Sequence, residues 1–416
     1  MRSKNLSAVV RLMNSKRLRA STFIAASLCI VISGPLAATA SARASSLQPV
    51  TPLDWPQVTA DQTAPAQPVT GGVYISTETW YTVRGAEHAS LLNVDLTNPH
   101  VHLGVVQANN QLLSPDETIS SMANRTQAIA GINGDFYEIG STGDAINMEV
   151  LNGQLEQSPN SYAIFGIAAS GHIVMNHETF SGTITDGAKS YSLGGFNHYN
   201  IPRLGGITVV TSELGAMNVL NDTVVMLQRM NTSTSTFGVA AITSTMTILN
   251  KLTAGQEALV GGGASAQWLQ SSVHQGNTIT MTTSISPDNH LQWALGGGPI
   301  LIQNGQFYTD ATPPNPWDTN IANPLTGIGV TKDGKHLMMV VFDGRSSGPS
   351  VPIGLTRPEM AGYLLAHGAY QAMLFDGGRS SEMVVRLPSQ SQVSVINHPA
   401  SGTEQPVANG LFVYSN

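Results

Sequence analysis

The chain has 416 residues, with 19 Lys and Arg against 26 Asp and Glu, 41 Gly, 22 Pro and a single Cys. Charged residues make up 11% and hydrophobic ones 41%, which excludes the high-charge, low-hydrophobicity signature of disorder and leaves enough apolar residues for a large core. A formal charge of -7 argues against nucleic-acid binding, which needs a basic face to neutralise phosphates.

The charge is unevenly placed. Residues 1–44 hold seven basic residues (Arg2, Lys4, Arg11, Lys16, Arg17, Arg19 and Arg43) and no acidic ones, so the remainder carries 12 basic against 26 acidic residues, a balance of -14. A basic lead, an apolar run from Thr22 to Ile32, a Ser33-Gly34-Pro35 break and Ala38-Thr39-Ala40 together predict a cleaved, bacterial-looking secretory signal peptide over 1–44. The apolar run is short of the roughly 20 residues that span a bilayer, so no stable membrane insertion is expected after cleavage. The only cysteine, Cys29, falls inside this segment, which leaves the mature chain without a disulfide or thiolate chemistry. Residues 45–70 carry Pro49, Pro52, Pro56, Pro65 and Pro68 and read as a linker. The domain proper is expected over 71–416.

Beyond Gly72 short segments rich in Val, Ile and Thr recur, bounded by Gly, Asn and Asp. They predict strands at Val101–Gln107, Ser161–Ile167, Ile207–Thr211, Val224–Leu227, Phe237–Ile242 and Thr278–Thr283. Two helices are signalled. Ser114-Pro115-Asp116-Glu117 has the spacing of a capping box, predicting a helix to Asn124, and Thr356-Arg357-Pro358-Glu359 repeats it before Met360, Tyr363, Leu364 and His367.

The segments around these helices carry the chemistry. The strand Gln127–Ile132 ends in Asn133-Gly134-Asp135. The strand Leu337–Phe342 ends in Asp343-Gly344-Arg345-Ser346-Ser347, and Ala372–Phe375 ends in Asp376-Gly377-Gly378-Arg379-Ser380-Ser381. Strand, capped helix, strand is a βαβ unit, whose parallel strands deliver both Asp-Gly turns to one sheet edge. The fold class expected is therefore α+β: a strand-rich mixed sheet with a few flanking helices and a C-terminal βαβ unit. Adjacent or next-but-one strands would bring Asp343 and Asp376 within the roughly 5–9.5 Å window of paired glycosidase carboxylates. The plainer reading is that Asp-Gly is simply good turn chemistry.

In order along the chain, Ile132-Asn133-Gly134-Asp135-Phe136-Tyr137, Asn152-Gly153, Gly296-Gly297-Gly298-Pro299-Ile300-Leu301, Thr326-Gly327-Ile328-Gly329, Phe375-Asp376-Gly377-Gly378-Arg379-Ser380-Ser381 and Pro406-Val407-Ala408-Asn409 resemble the landmarks of the phosphodiester glycosidase family. The resemblance extends from Gly71 to Asn416. Departures accompany it. Leu325 and Gln405 stand where the family often has Arg, Arg379 replaces the third Gly of the signature, and Glu382 stands where Thr is common.

The resemblance implies a secreted hydrolase that cleaves between a sugar's anomeric carbon and a phosphate oxygen, acting on sugar-1-phosphodiesters or on phosphate-linked cell-wall or exopolysaccharide glycans. The chemistry of that bond, which needs an oxocarbenium-like transition state stabilised and water delivered, then points to Asp376 as nucleophile or general base and Asp343 as its partner. Arg345 and Arg379 would hold the phosphate, while Ser380, Ser381 and the N–H groups of Gly377 and Gly378 supply further donors. Asn133 would position a sugar hydroxyl, with Asp135 as a secondary candidate. Leu325 and Gln405 keep two alternatives open: a non-phosphorylated glycan linkage, or a non-catalytic carbohydrate-binding surface protein.

Other residues read more plainly. Asp144 and Glu149 are expected as solvated loop acids, Met338-Met339 as core, and the Gly261–Gly263 and Gly296–Gly298 runs as close backbone packing. The 11 His residues show no His-x-x-x-His pair, so no metal or other cofactor is expected. Asp343, Asp376 and Glu382 could hold Ca²⁺, but no contiguous Ca²⁺ loop is present.

Overall fold

The computed structural model describes residues 58–231, 235–288, 290–308, 310, 321–345 and 352–416. The expected signal peptide, Ser346 and Ser347 lie outside them. In chain order the framing elements are β1 (Val73–Thr82), β2 (Gly85–Asp95), β3 (Val101–Gln107), α1 (Ile119–Thr126), β4 (Ala130–Asn133), β5 (Ala163–Ala168) and α2 (Gly263–Ser272). They continue with β6 (Leu291–Gly297), β7 (Leu325–Val330), β8 (His336–Phe342), α3 (Arg357–Ala366), β9 (Gln371–Leu374), β10 (Met383–Val385) and β11 (Asn409–Ser415). The fold is mostly β, and these are the α-helices among the described residues.

The first sheet runs Val58–Asp61, β1, β2, β8, β7, β9, Ile300–Gln303, Gln306–Phe307, with Gln67–Thr70 also paired to β1. The segment expected as linker thus contributes two strands. Its prolines are compatible with this because both strands are short additions to β1 at the sheet margin, where a missing N–H is tolerated. The second sheet runs Ser394–Val395, β10, β4, β11, β3, and a third pairs β5 with β6. Between them these sheets bury Leu92, Ile132, Phe165, Leu295, Met339, Phe375 and Leu411 in one core. Strands between Thr179 and Ser286 form a separate eight-stranded sheet that packs with α2 around its own core.

Helix α3 covers the outer face of the first sheet, burying Met360, Tyr363 and Leu364 with Val340 and Phe342. Each such side chain contributes roughly 1.5–3 kcal/mol by leaving water. Its capping box forms as expected: Thr356 Oγ1 accepts from Glu359 N (3.4 Å), and Glu359 Oε2 accepts from Thr356 N (2.7 Å). The box expected at Ser114 does not form. Helix α1 starts later, capped by Thr118, whose side chain accepts from Ser121 N. Glu117 instead makes an ion pair with Arg125 (2.7 Å) and accepts from Asn109 N (2.9 Å), interactions stronger than a single cap bond.

The βαβ unit is present in split form. Strands β8 and β9 are each antiparallel to β7, which lies between them, so they run parallel to one another as next-but-one neighbours. Their carboxyl ends and the amino end of β7 meet at one edge.

Candidate active site

Residues 375–382 leave the end of β9 in the first sheet and enter β10 in the second, so the signature turn spans both layers. Asp376 N donates to Gly134 O (2.9 Å), and Asn133 Nδ2 donates to Asp376 O (2.7 Å). The first Asn-Gly landmark therefore cradles the backbone of the second. On the side chain, Asp376 Oδ1 accepts from Gly377 N (2.9 Å) and the carboxylate also bonds the Ser380 hydroxyl. Burial raises its pKa to about 6 against the opposing pull of Ser380, the Gly377 N–H and the Arg345 charge.

A cleft of about 200 Å³ opens over Asp376, and Arg345, Arg357, Asn323, Leu325 and Phe136 line it. Arg345 occupies the left-handed region (φ 60°), a conformation that costs a non-glycine residue about 1–2 kcal/mol. Its Nε donates to Asn323 Oδ1 (3.1 Å), and its guanidinium lies over Gly378, where a Cβ would come within 2.9–3.1 Å of it. Gly344 is equally confined: a Cβ there would meet Pro324 N at 2.8 Å and Gly354 Cα at 2.9 Å. The turns that carry Asp343 and Leu325 therefore pack backbone to backbone. Phe136 packs against Tyr162 with ring centroids 5.5 Å apart, giving the cleft an aromatic wall.

The expected residues separate into those at the cleft and those behind it. Asp376, Arg345, Gly377 and Gly378 line it. Both glycine N–H groups are already used, Gly377 N by Asp376 and Gly378 N by Pro324 O (2.9 Å), so the expected backbone donors are bonded internally. Arg379 is exposed and does not line the cleft. Asn133 is fully buried, and its Oδ1 accepts from Thr326 Oγ1 (2.7 Å) and Glu382 N (3.1 Å). With both ends of its amide engaged, Asn133 supports the Asp376 turn from below. Ser380 is buried between Asp376 and Tyr137. Ser381 is buried and its Oγ has no hydrogen-bond partner among the described residues.

Asp135 is buried and accepts from Asn147 N (2.7 Å), Asn147 Nδ2 (2.6 Å) and Phe136 N (2.8 Å). Burial outweighs these donors and raises its pKa to about 7, with the Asp376 charge adding to the rise. Asp343 lies at the same sheet edge but outside the cleft lining. Its Oδ1 accepts from His398 N (2.8 Å) and Asn397 Nδ2 (3.3 Å), its Oδ2 contacts His398 Nδ1 at 2.9 Å, and His88 Nδ1 stands 3.8 Å from that oxygen.

Asp144 and Glu149, expected as solvated loop acids, are instead buried, at 3% and 1% exposure. The fold gives each a partner from another segment: Asn409 Nδ2 donates to Glu149 Oε2 (2.7 Å), and Gln157 Nε2 donates to Asp144 Oδ1 (3.3 Å). Burial raises both pKa values, that of Glu149 to about 7. Glu382, where the family often has Thr, is raised to about 9 by burial and by the adjacent Glu404, with which it shares a hydrogen bond. Gln405 donates to Tyr137 Oη (2.6 Å).

Arg357 is the cleft residue that sequence reasoning overlooked. As the first residue of α3 it read only as part of a helix start, and no local pattern indicates that the helix places it beside Asp376. Tyr137 was legible as a motif residue but not as the neighbour of Ser380 and Gln405.

Comparisons with known proteins agree with this architecture. Residues 236–414 match the phosphodiester glycosidase family. That stretch includes Asp343, Arg357 and Asp376, while Asn133 and Asp135 fall outside it. A 96-residue segment is 33% identical to the SPbeta prophage-derived uncharacterized protein YomE of Bacillus subtilis (strain 168), covering 23% of this chain and only 13% of that one. A crystal structure of a hypothetical protein from Synechocystis shares the fold at TM-score 0.71 and 18% identity, over 85% of this chain and 64% of that one. That of a putative exported protein from Burkholderia pseudomallei K96243 does so at 0.70 and 16%, over 90% of this chain and 100% of that one.

Proposed function

We propose, from the membership of residues 236–414 in the phosphodiester glycosidase family, that this protein is a glycosidase that hydrolyses the anomeric C–O bond of sugar-1-phosphodiesters, including phosphate-linked cell-wall or exopolysaccharide glycans. The observation that carries the reading is a half-buried carboxylate, Asp376, sharing one cleft with the guanidiniums of Arg345 and Arg357. Export across the membrane, by way of residues 1–44, belongs to the same proposal.

The bond's chemistry assigns the roles. A phosphomonoester leaves readily with the bonding electron pair, so the demand falls on stabilising an oxocarbenium-like carbon and on delivering water or a nucleophile to it. Asp376 supplies the carboxylate, either attacking the anomeric carbon or taking a proton from water. Arg345 and Arg357 hold the phosphate oxygens, a task suited to planar guanidinium forks. Phe136 offers an apolar face to the sugar ring. Asp343, bonded to His398 and Asn397 away from the cleft, takes no part in the proposed chemical step.

Reducing-sugar release from a panel of sugar-1-phosphodiesters tests this. Turnover that vanishes in Asp376→Asn supports it, and full activity of that variant would overturn the assignment. A second reading, cleavage of a neutral glycan linkage, is favoured by the apolar Leu325 at the cleft wall. Faster release from the corresponding neutral glycosides would select it, and glycan binding without any turnover would point to a non-catalytic protein.

A further inference from the structure

We propose that His88, Asp343 and His398 form a binding site for a divalent cation of the zinc class, with water completing the coordination sphere. One ligand atom from each of the three lies within 4.8 Å of the others. Asp343 Oδ2 is their common point, 2.9 Å from His398 Nδ1 and 3.8 Å from His88 Nδ1. Donors at about 2.0–2.2 Å from a tetrahedral Zn²⁺ stand about 3.4 Å apart, so the observed separations bracket what a shared cation requires.

A hydrogen bond between Asp343 and His398 accounts for the shorter contact alone. It leaves unexplained why a second imidazole presents its Nδ1 to the same oxygen at a distance too long for a hydrogen bond. The surroundings are those of a supported ligand. The other carboxylate oxygen is fixed by His398 N and Asn397 Nδ2, the outer-shell bonding that orients metal-binding carboxylates. The backbone joins the first two ligands, because Asp343 N donates to His88 O (3.0 Å) in the β2–β8 pairing. The third arrives on a loop from the second sheet. Asp343 is buried, whereas the His398 side chain is 81% exposed, so one side of the site faces solvent and can take water ligands.

Two imidazole nitrogens with one carboxylate oxygen suit Zn²⁺, Co²⁺ or Ni²⁺ and disfavour Ca²⁺ and Mg²⁺, which select all-oxygen sets. Binding would replace the direct Asp343–His398 contact with a metal ion shared by the two side chains. It would also fasten the 397–405 loop to the end of β8, two residues before Arg345.

The test uses the untagged full chain, stripped with a chelator, titrated with ZnCl₂ by calorimetry and analysed for bound metal after dialysis. Co²⁺ substitution gives a visible absorption spectrum as a readout independent of activity. The expected result is one equivalent bound by the parent protein, with affinity weakened roughly 100-fold or more in His88→Ala and in His398→Ala and unchanged in His100→Ala. Circular dichroism establishes that these variants fold. Absence of stoichiometric Zn²⁺ binding, binding retained by both site variants, or a preference for Ca²⁺ would overturn the proposal. None of these outcomes depends on whether the proposed glycosidase activity is found.

Discussion

Removing Arg345 is expected to move the acidic limb of the pH–rate profile upward. Asp376 works as a carboxylate in the proposed reaction, so kcat/KM should rise with pH through about 6, the value to which burial raises its pKa. The Arg345 charge is one of the influences that keep that value from going higher. Arg345 is exposed, so solvent screens the interaction and limits it to about 1 kcal/mol. At 1.36 kcal/mol per pH unit this is about 0.7 unit. The Arg345→Ala limb should therefore shift upward by up to about 0.7 unit, measured as kcat/KM on a sugar-1-phosphodiester from pH 4 to 8. Arg357→Ala is the control. It removes a phosphate contact and should raise KM, but Arg357 is not among the groups that shift Asp376, so its limb should stay in place. A limb that is unmoved or lowered in Arg345→Ala, or shifted equally in both variants, would refute the reasoning.

Asp376→Asn should lower kcat by about 10²–10⁴ without lowering the melting temperature, since a buried carboxylate with a raised pKa opposes folding once ionised; a large loss of stability would show that the residue is mainly structural. The buried acids should also make the protein more stable in mild acid than in mild base. Asp135 and Glu149 are raised to about 7 and Glu382 to about 9. Protons are therefore held in the folded state after the unfolded chain has lost them, and stability falls as pH rises from roughly 4 through these values. Melting temperatures at pH 5 and pH 8 check the sign, and Glu382→Gln should flatten the upper part of the curve. Gly378→Ala should cost about 1–2 kcal/mol for its positive φ and raise KM by displacing the Arg345 guanidinium; unchanged KM would mean that the guanidinium over Gly378 is not the one that binds substrate.

Local chemistry was legible where it is decided locally. Val101–Gln107 and the Thr356–Glu359 cap carry their own signals, one in its β-branched residues and one in the spacing of hydroxyl and carboxylate. The two Asp-Gly turns were also readable, as was their meeting at one edge, because a βαβ unit has few possible geometries. The Ser114 box failed because Glu117 found Arg125 and a bridge to Val407, partners that no four-residue window contains. The same cause hid the burial of Asp144 and Glu149, the internal use of Asn133, and the approach of His88 and His398 to Asp343. Each depends on which strands pair across a long separation, and that is settled by packing of the whole core.

The reversed strand at the centre of the split βαβ unit has a practical consequence. Because β7 runs against its neighbours, Leu325 opens where β8 and β9 close, and it pairs with Phe342 while Thr326 O accepts from Phe375 N. Leu325 thus stands between the two Asp-Gly turns. Changing it would leave the sheet's hydrogen bonds intact, since the ladder reads only backbone. The charge of the cleft can therefore be rewritten most readily at 345 and 357, whereas a charge at 325 would also replace an apolar side chain buried in the α3 core and would need a partner in the cleft.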